Sequence, residues 1–317
     1  MKHLKDYAWG IFGLVALAVA GWLLVHELHG LSLADIGASI SAIGSRGFGL
    51  AALSTLVAYC GLAFYDKTAL EHMGVKLPWP FVATVSFVTY ALAHNIGATV
   101  FSGGLIRYRA YSTKGLSAAQ VAGLVAFCSL TYTLSMATVG GFALTLHPDI
   151  ISRLTPLRPW AGQLIGAGLL ALFALYVIGS LRHFPAMKVW NFSILYPRPA
   201  IAARQLIAGP LEILGAVGII YFALPAASNP GFVVIAGVFV LAFSAALMSH
   251  APGGLGVLEF AFVKALHDVP PADVIAALLV FRLFYLVAPF VVAVMVAVVF
   301  ERKTIFAVFQ KRVGASP

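Results

Sequence analysis

Apolar residues gather into long runs separated by short polar stretches along the 317-residue chain. The runs cover approximately residues 7–25, 47–65, 79–101, 118–146, 161–181, 205–224, 232–249, 252–266 and 273–300. Most approach the ~20 residues with which a helix crosses a hydrocarbon core. A backbone in lipid must satisfy its own hydrogen bonds, so every run is predicted helical. The segment from Leu31 to Gly44 is weakly amphipathic and reads as interfacial, and Glu301 to Pro317 reads as a polar tail. The first run, Tyr7 to Val25, contains Ala18-Val19-Ala20, which resembles a signal-peptidase site. Its apolar character continues to Val25 and further spans follow, so it is read as an uncleaved first span.

Composition sharpens this pattern. Apolar residues make up 61% and charged residues 10%, against about 45–50% and about 25% in soluble domains. Mean hydropathy is +0.97. These values exclude a soluble enzyme, a disordered chain and a nucleic-acid-binding domain. The formal charge of +9 is explained by loop and tail residues that meet lipid phosphates and follow the positive-inside bias. Cys60 and Cys128 lie inside apolar runs and read as small core residues, not as a disulfide or metal site.

Charge also discriminates between topologies. If 79–101 and 232–249 both cross and 252–266 does not, 10 Lys and Arg fall inside and 9 outside. That eight-helix reading leaves orientation unexplained. If 79–104 dips in from the inside and 232–266 from the outside, the split becomes 15 to 4, as the positive-inside rule expects. The chain is therefore read as an all-α integral membrane protein, one polytopic domain over 1–317. It has about six full spans, two re-entrant Gly-rich hairpins, a cytoplasmic tail at 301–317 and both termini cytoplasmic. Ser102-Gly103-Gly104-Leu105 resembles Pro252-Gly253-Gly254-Leu255, and each lies in a helix–hairpin–helix pattern. The two patterns enter from opposite sides. That predicts an inverted repeat, about 47–146 and 205–300, with a site at the repeat interface.

Polar residues at membrane depth carry the candidate chemistry, because an ionisable group at a helix centre costs about 2.5–3.5 kcal/mol. Glu212 follows Gly209-Pro210; it either lines a polar cavity or pairs with Arg282 or a histidine. Arg282 can hold a phosphate bidentately or act as counter-ion to Glu259 or Glu212. The run Ser249-His250-Ala251-Pro252-Gly253-Gly254-Leu255-Gly256-Val257-Leu258-Glu259 is too rich in Gly and Pro for mid-helix material. It reads as a sharp turn whose following helix offers free N–H groups to an anion, or as a tight turn alone. Glu259 is placed to cap, pair or protonate there. In the first half, Arg107, Arg109 and Tyr111 read as contacts to a headgroup at the inner surface, or as positive-inside anchors. His94, Asn95 and Tyr285 are secondary candidates with His250. Neither His94 nor His250 has a second metal ligand at helical spacing. Phosphate loops, nucleophile elbows and zinc-protease motifs are absent. Glu27, Asp35, Glu71, Asp149 and Asp268 read as solvated loop charges.

The motifs Ala93-His94-Asn95-Ile96-Gly97, Gly103-Gly104-x-x-Arg107-x-Arg109-x-Tyr111, Gly115-Leu116-Ser117, Pro252-Gly253-Gly254-Leu255-Gly256-Val257-x-Glu259 and Phe281-Arg282-x-x-Tyr285 carry a resemblance. The chain resembles, over nearly its whole length, the transmembrane flippase region of the lysylphosphatidylglycerol synthetase (multiple peptide resistance factor) family and its standalone YbhN-like members. The resemblance implies movement of a phospholipid, anionic or aminoacylated, between leaflets of a bacterial inner membrane. The aminoacyl-transfer half of two-part members is expected to be absent, since the sequence stops at Pro317, and with it any enzymatic activity. No cofactor, metal or nucleic acid is implied. A second copy of the chain or a lipid-synthesis enzyme is the expected protein partner. Two other functions stay open: a non-transporting scaffold or regulator of lipid synthesis, and a proton-coupled transporter of a small solute.

Overall fold

Among the described residues, six helices are long and apolar enough to cross a membrane. The structure, a computed structural model, describes residues 32–96, 99–182, 184, 187–189, 192–194, 196–249 and 254–299. The first apolar run, the tail from Glu301, and the candidates His250 and Gly253 lie outside the described residues.

A short helix α1 (Leu33–Ala42) opens the described chain. Its start is fixed by a capping box: the Asp35 backbone N–H donates to Ser32 Oγ at 3.2 Å, and the Ser32 N–H donates to Asp35 Oδ2 at 2.8 Å. Asp35 is thus a capping residue, where the sequence suggested a free loop charge. Gly44, at φ +67°, breaks α1 from the span α2 (Gly44–His72).

Next come α3 (Trp79–Ile96) and α4 (Thr99–Tyr111). A Cβ on Gly103 would meet Thr89 and Ala93, so α4 folds back along α3 as a helical hairpin. Gly115, at φ +86°, turns the chain after it. Ser117 and Gln120 then cap the span α5 (Ala118–Leu146) reciprocally. The short α6 (Ile150–Leu154) and the span α7 (Pro159–Leu181) follow. A small antiparallel ladder, β1 (Met187–Val189) with β2 (Phe192–Ile194), lies in the connection the pattern left as a loop. The span α8 (Pro199–Ala223) runs through Pro210 without a break. The chain then forms α9 (Phe232–Ser249), α10 (Val257–Ala265) and the last span α11 (Pro271–Val299). Within α11, Arg282–Val287 form a π-helical turn.

Close backbone approach organises the centre. A Cβ on Gly61 would lie 2.7 Å from the backbone N of Glu212, and one on Gly215 would lie 2.6 Å from that of Ala58. Hence α2 and α8 run antiparallel with backbones nearly touching, as small residues permit in membrane helices. Gly61→Ala forces backbone atoms apart and is expected to cost about 1–3 kcal/mol. A lowered unfolding temperature in detergent is the check, and an unchanged one would remove the close packing from this account.

These contacts set direction. The Arg204–Glu71 ion pair marks one end of the bundle, where α2 ends and α8 begins. The hairpin α3–α4 opens at that end. At the other end Arg153 donates to the Ala265 carbonyl at 3.1 Å, and a Cβ on Gly237 would meet Ile150 and Ala143. The chain between α9 and α10 carries positive-φ glycines, Gly254 at +63° and Gly256 at +77°. So α9, although long enough to span alone, is followed by a return of α10 to the end from which α9 came. The two hairpins open at opposite ends. The first end carries Lys67, Lys76, Arg109, Lys114, Arg182, Arg198 and Arg204. The second carries Arg46, Arg153, Arg158 and Lys264. The chain is a multi-pass, all-α membrane protein with six candidate spans among the described residues and two helical hairpins that open at opposite ends.

Candidate functional site

The tip of the first hairpin meets the π turn of α11. A π turn widens the helix and occurs frequently at functional sites. Here the turn's carbonyls take side-chain donors from elsewhere. Tyr59 of α2 donates to the Tyr285 carbonyl at 3.0 Å. Asn95 donates to the Leu286 carbonyl at 3.2 Å and to Ala91 at 2.9 Å. The His94 ring stacks on Tyr285, centroids 5.4 Å apart and planes 19° apart.

Behind Tyr285 lies Glu212, 4% exposed. Tyr285 donates to its Oε1 at 2.5 Å, and the Tyr65 hydroxyl stands 3.3 Å from its Oε2. Glu212 therefore joins tyrosines of α2 and α11, where the sequence offered Arg282 or a histidine as partner. His94 packs against Tyr285 and not against the carboxylate.

Arg282, three residues before Tyr285 on the same π turn, meets the second hairpin at the start of α10. Its Nε donates to Glu259 Oε1 at 2.6 Å, with Nη2 at 2.5 Å. The Glu259 Oε2 accepts the Gly256 N–H at 2.9 Å, which caps α10. Glu259 thus both caps and pairs, and Gly254 and Gly256 supply the left-handed turn that brings it there. Side chains of the pair are 12–13% exposed. The end of α3, through Asn95, and the start of α10, through Glu259, therefore both meet Arg282–Val287, deep in the bundle and away from either end.

The third cluster corrects the sequence reading. Arg107 and Tyr111 do not reach a surface: they are 4% and 0% exposed. The Arg107 Nε lies 3.2 and 3.1 Å from the Asp66 oxygens, and Nη2 lies 2.7 Å from Oδ1. Tyr111 donates to Asp66 Oδ2 at 2.9 Å. Cys128 Sγ lies 3.6 Å from Oδ1, so it is more than core filler. The guanidinium stands 4.7 Å over the Tyr90 ring, and a side chain on Gly103 would crowd Arg107 Nη1 at 3.2 Å. This cluster ties α4 to α2 inside the bundle, where a headgroup at the surface has no access. Only Arg109 of the three candidates is exposed.

Asp66 was missed because the apolar run was ended at Tyr65. The signal was present: Arg107 and Tyr111 share one helical face at i and i+4, and so ask for a common buried partner. The π turn left no trace in the sequence pattern. Beside α4, a groove of about 610 Å³ lined by Gly104, Tyr108, Val121, Val125, Ser129 and Thr133 runs along α5. Among the described residues no cluster of three or more His, Cys, Asp or Glu is placed to hold a metal.

Comparison with known proteins now bears on the same residues. Residues 10–293 match the family described as the lysylphosphatidylglycerol synthase TM region. The chain is 29% identical to the uncharacterized protein slr0712 of Synechocystis sp., over 82% of this chain and 81% of that one. It is 27% identical to the inner membrane protein YbhN of Escherichia coli, over 88% and 83% of the two chains. It is 22% identical to the phosphatidylglycerol lysyltransferase of Staphylococcus haemolyticus, over 74% of this chain and 27% of that protein. That match takes in only a minor part of the lysyltransferase, while the family match over residues 10–293 includes α3–α4, α9–α10 and the π turn. By that match the chain belongs to the lysylphosphatidylglycerol synthase transmembrane-region family.

Proposed function

We propose that the protein moves a phospholipid between leaflets by passing its headgroup along the polar interior between the two hairpin tips. The observation that carries this reading is the convergence of opposed hairpins on the Arg282–Val287 turn. Transporters built from inverted repeats place their sites at such midplane junctions. In this reading α2–α5 and α8–α11, the segments 47–146 and 205–300, are the two repeats. Arg282, with its planar fork, takes a phosphate oxygen pair when Glu259 releases it. Glu259 receives a headgroup cation, and the groove beside α4 and α5 shelters an acyl chain. An anionic or aminoacylated headgroup suits this pairing of both signs. In this reading the end richer in Lys and Arg is cytoplasmic and both termini are proposed to share that side; the relative named as an inner membrane protein supports that membrane.

The experiment is lipid analysis of the purified protein, followed by exchange of the co-purified lipid, headgroup-labelled, in proteoliposomes. Exchange above the protein-free rate is expected. Because Arg107 is matched with Asp66 and Arg282 with Glu259, a static scaffold of lipid synthesis is the second reading. It predicts no exchange and stable co-purification with an enzyme.

A further inference from the structure

Glu212 stands apart from the other buried charges. Asp66 has Arg107 and Glu259 has Arg282, while among the described residues the hydrogen bonds to the Glu212 carboxyl come from tyrosines. The groups facing it are Tyr59 and Tyr65 from α2, Tyr132 from α5 and Tyr285 from α11. Tyr90 and His94 of α3 pack beyond them. None of these tyrosines is a cation. An ionised carboxylate buried without a counter-charge is so costly that such a group neutralises by taking a proton.

The surrounding atoms fit that neutral form. The Tyr65 hydroxyl lies 3.3 Å from the Gly209 carbonyl and also 3.3 Å from Glu212 Oε2. With Glu212 protonated, its O–H donates to Tyr65, Tyr65 donates to Gly209, and Tyr285 donates to Oε1. With Glu212 ionised, Tyr65 turns its hydrogen from Gly209 to the carboxylate. One hydroxyl rotation thus serves both states with no backbone movement. Tyr285, 2% exposed, is covered by the His94 ring of the hairpin tip. The buried Tyr132 hydroxyl and His94 Nδ1 have no hydrogen-bond partner among the described residues, so further polar capacity waits beside this junction.

We propose that Glu212 is a proton-coupling site, and this rests on the leaflet-exchange reading above. Glu212 holds its proton while the α3–α4 hairpin sits on the π turn. When the end of α3 lifts from the π turn, with α4 still anchored to Asp66, water reaches the carboxyl; the O–H bond breaks, the proton leaves as hydronium, and the carboxylate keeps the tyrosine donors and gains water. Reseating the hairpin requires reprotonation, from whichever side is more acidic. The tyrosine hydroxyls already occupy both carboxyl oxygens, which favours a proton over a metal ion that needs a ligand shell.

Two arms test this. Infrared spectra of the whole protein in liposomes at neutral pH should show a carboxylic-acid C=O band that Glu212→Gln abolishes. Tyr285→Phe, which keeps the ring and removes one donor, should shift the band. No band lost in Glu212→Gln overturns the proposal. In the second arm an imposed pH gradient should bias labelled-lipid exchange by the wild type, and Glu212→Gln should lose that bias. Wild-type exchange that ignores the proton gradient, or that responds to a sodium gradient instead, overturns the coupling and leaves the exchange reading standing. Absence of all exchange overturns the exchange reading, and coupling with it, whatever the infrared band shows.

Discussion

Arg107→Met is expected to leave little folded protein. Asp66 is 0% exposed, and its oxygens take bonds from Arg107, Tyr111 and Cys128. Removing the guanidinium strands a buried carboxylate, and breaking such a pair costs about 3–5 kcal/mol. Much of a domain's net stability is of that size. The loss acts on a particular joint, since Arg107 sits on α4 and Asp66 on α2, so the first hairpin loses its anchor to the central span. Replacing both members by apolar residues of similar volume, as in Asp66→Leu with Arg107→Met, removes the stranded charge and should recover much of the yield. Size-exclusion profiles and unfolding temperatures in detergent provide the check. A stable Arg107→Met protein would show that the pair does not hold the hairpin.

Arg282→Ala and Glu259→Gln are expected to bring lipid exchange down to the protein-free rate while the protein still folds. The two substitutions differ in what they preserve. Gln at 259 retains an oxygen able to accept the Gly256 N–H at the start of α10, so the cap survives and the charge alone is lost. Ala at 282 removes the fork and frees Glu259. Arg282→Lys keeps charge without the bidentate geometry, and should fall between wild type and Arg282→Ala. Full exchange in both Arg282→Ala and Glu259→Gln would take these residues out of the path. Both arginines are carboxylate-bound, yet Arg107 is buried among Tyr90, Tyr111 and Cys128, whereas Arg282 is partly exposed on a π turn that meets α3 and α10.

Much of the architecture was legible from hydropathy and charge. Spans are forced by lipid, which leaves the backbone no other partner, and the Lys and Arg split chose the opposed hairpins. Gly254 and Gly256 announced a turn because a left-handed backbone inside an apolar run has no other residue suited to it. Pairing was harder to read. Glu259 with Arg282 was among the alternatives, but Glu212 with Tyr65 and Tyr285 was not, because tyrosines in apolar runs look like packing. In the sequence Arg107 and Tyr111 look like surface contacts, because a basic residue near a Gly-Gly break resembles a topological anchor. Their true partner, Asp66, lay one residue past the boundary assigned to a span. Segment ends are set by capping and by contacts across the bundle, and both depend on residues distant in sequence.

Lipid exchange by this route requires the end of α3 to move away from the last span. Asn95 and Leu286 are joined there by the Asn95 side-chain amide. In a background with Cys60→Ser, Asn95→Cys and Leu286→Cys joined by a short reducible thiol crosslinker would hold the tip on the π turn. Leaflet exchange of headgroup-labelled lipid in proteoliposomes, measured before crosslinking, after it and after reduction, is the decisive observation. The account predicts exchange, then its arrest, then its return; exchange that continues unchanged in the crosslinked protein would contradict it.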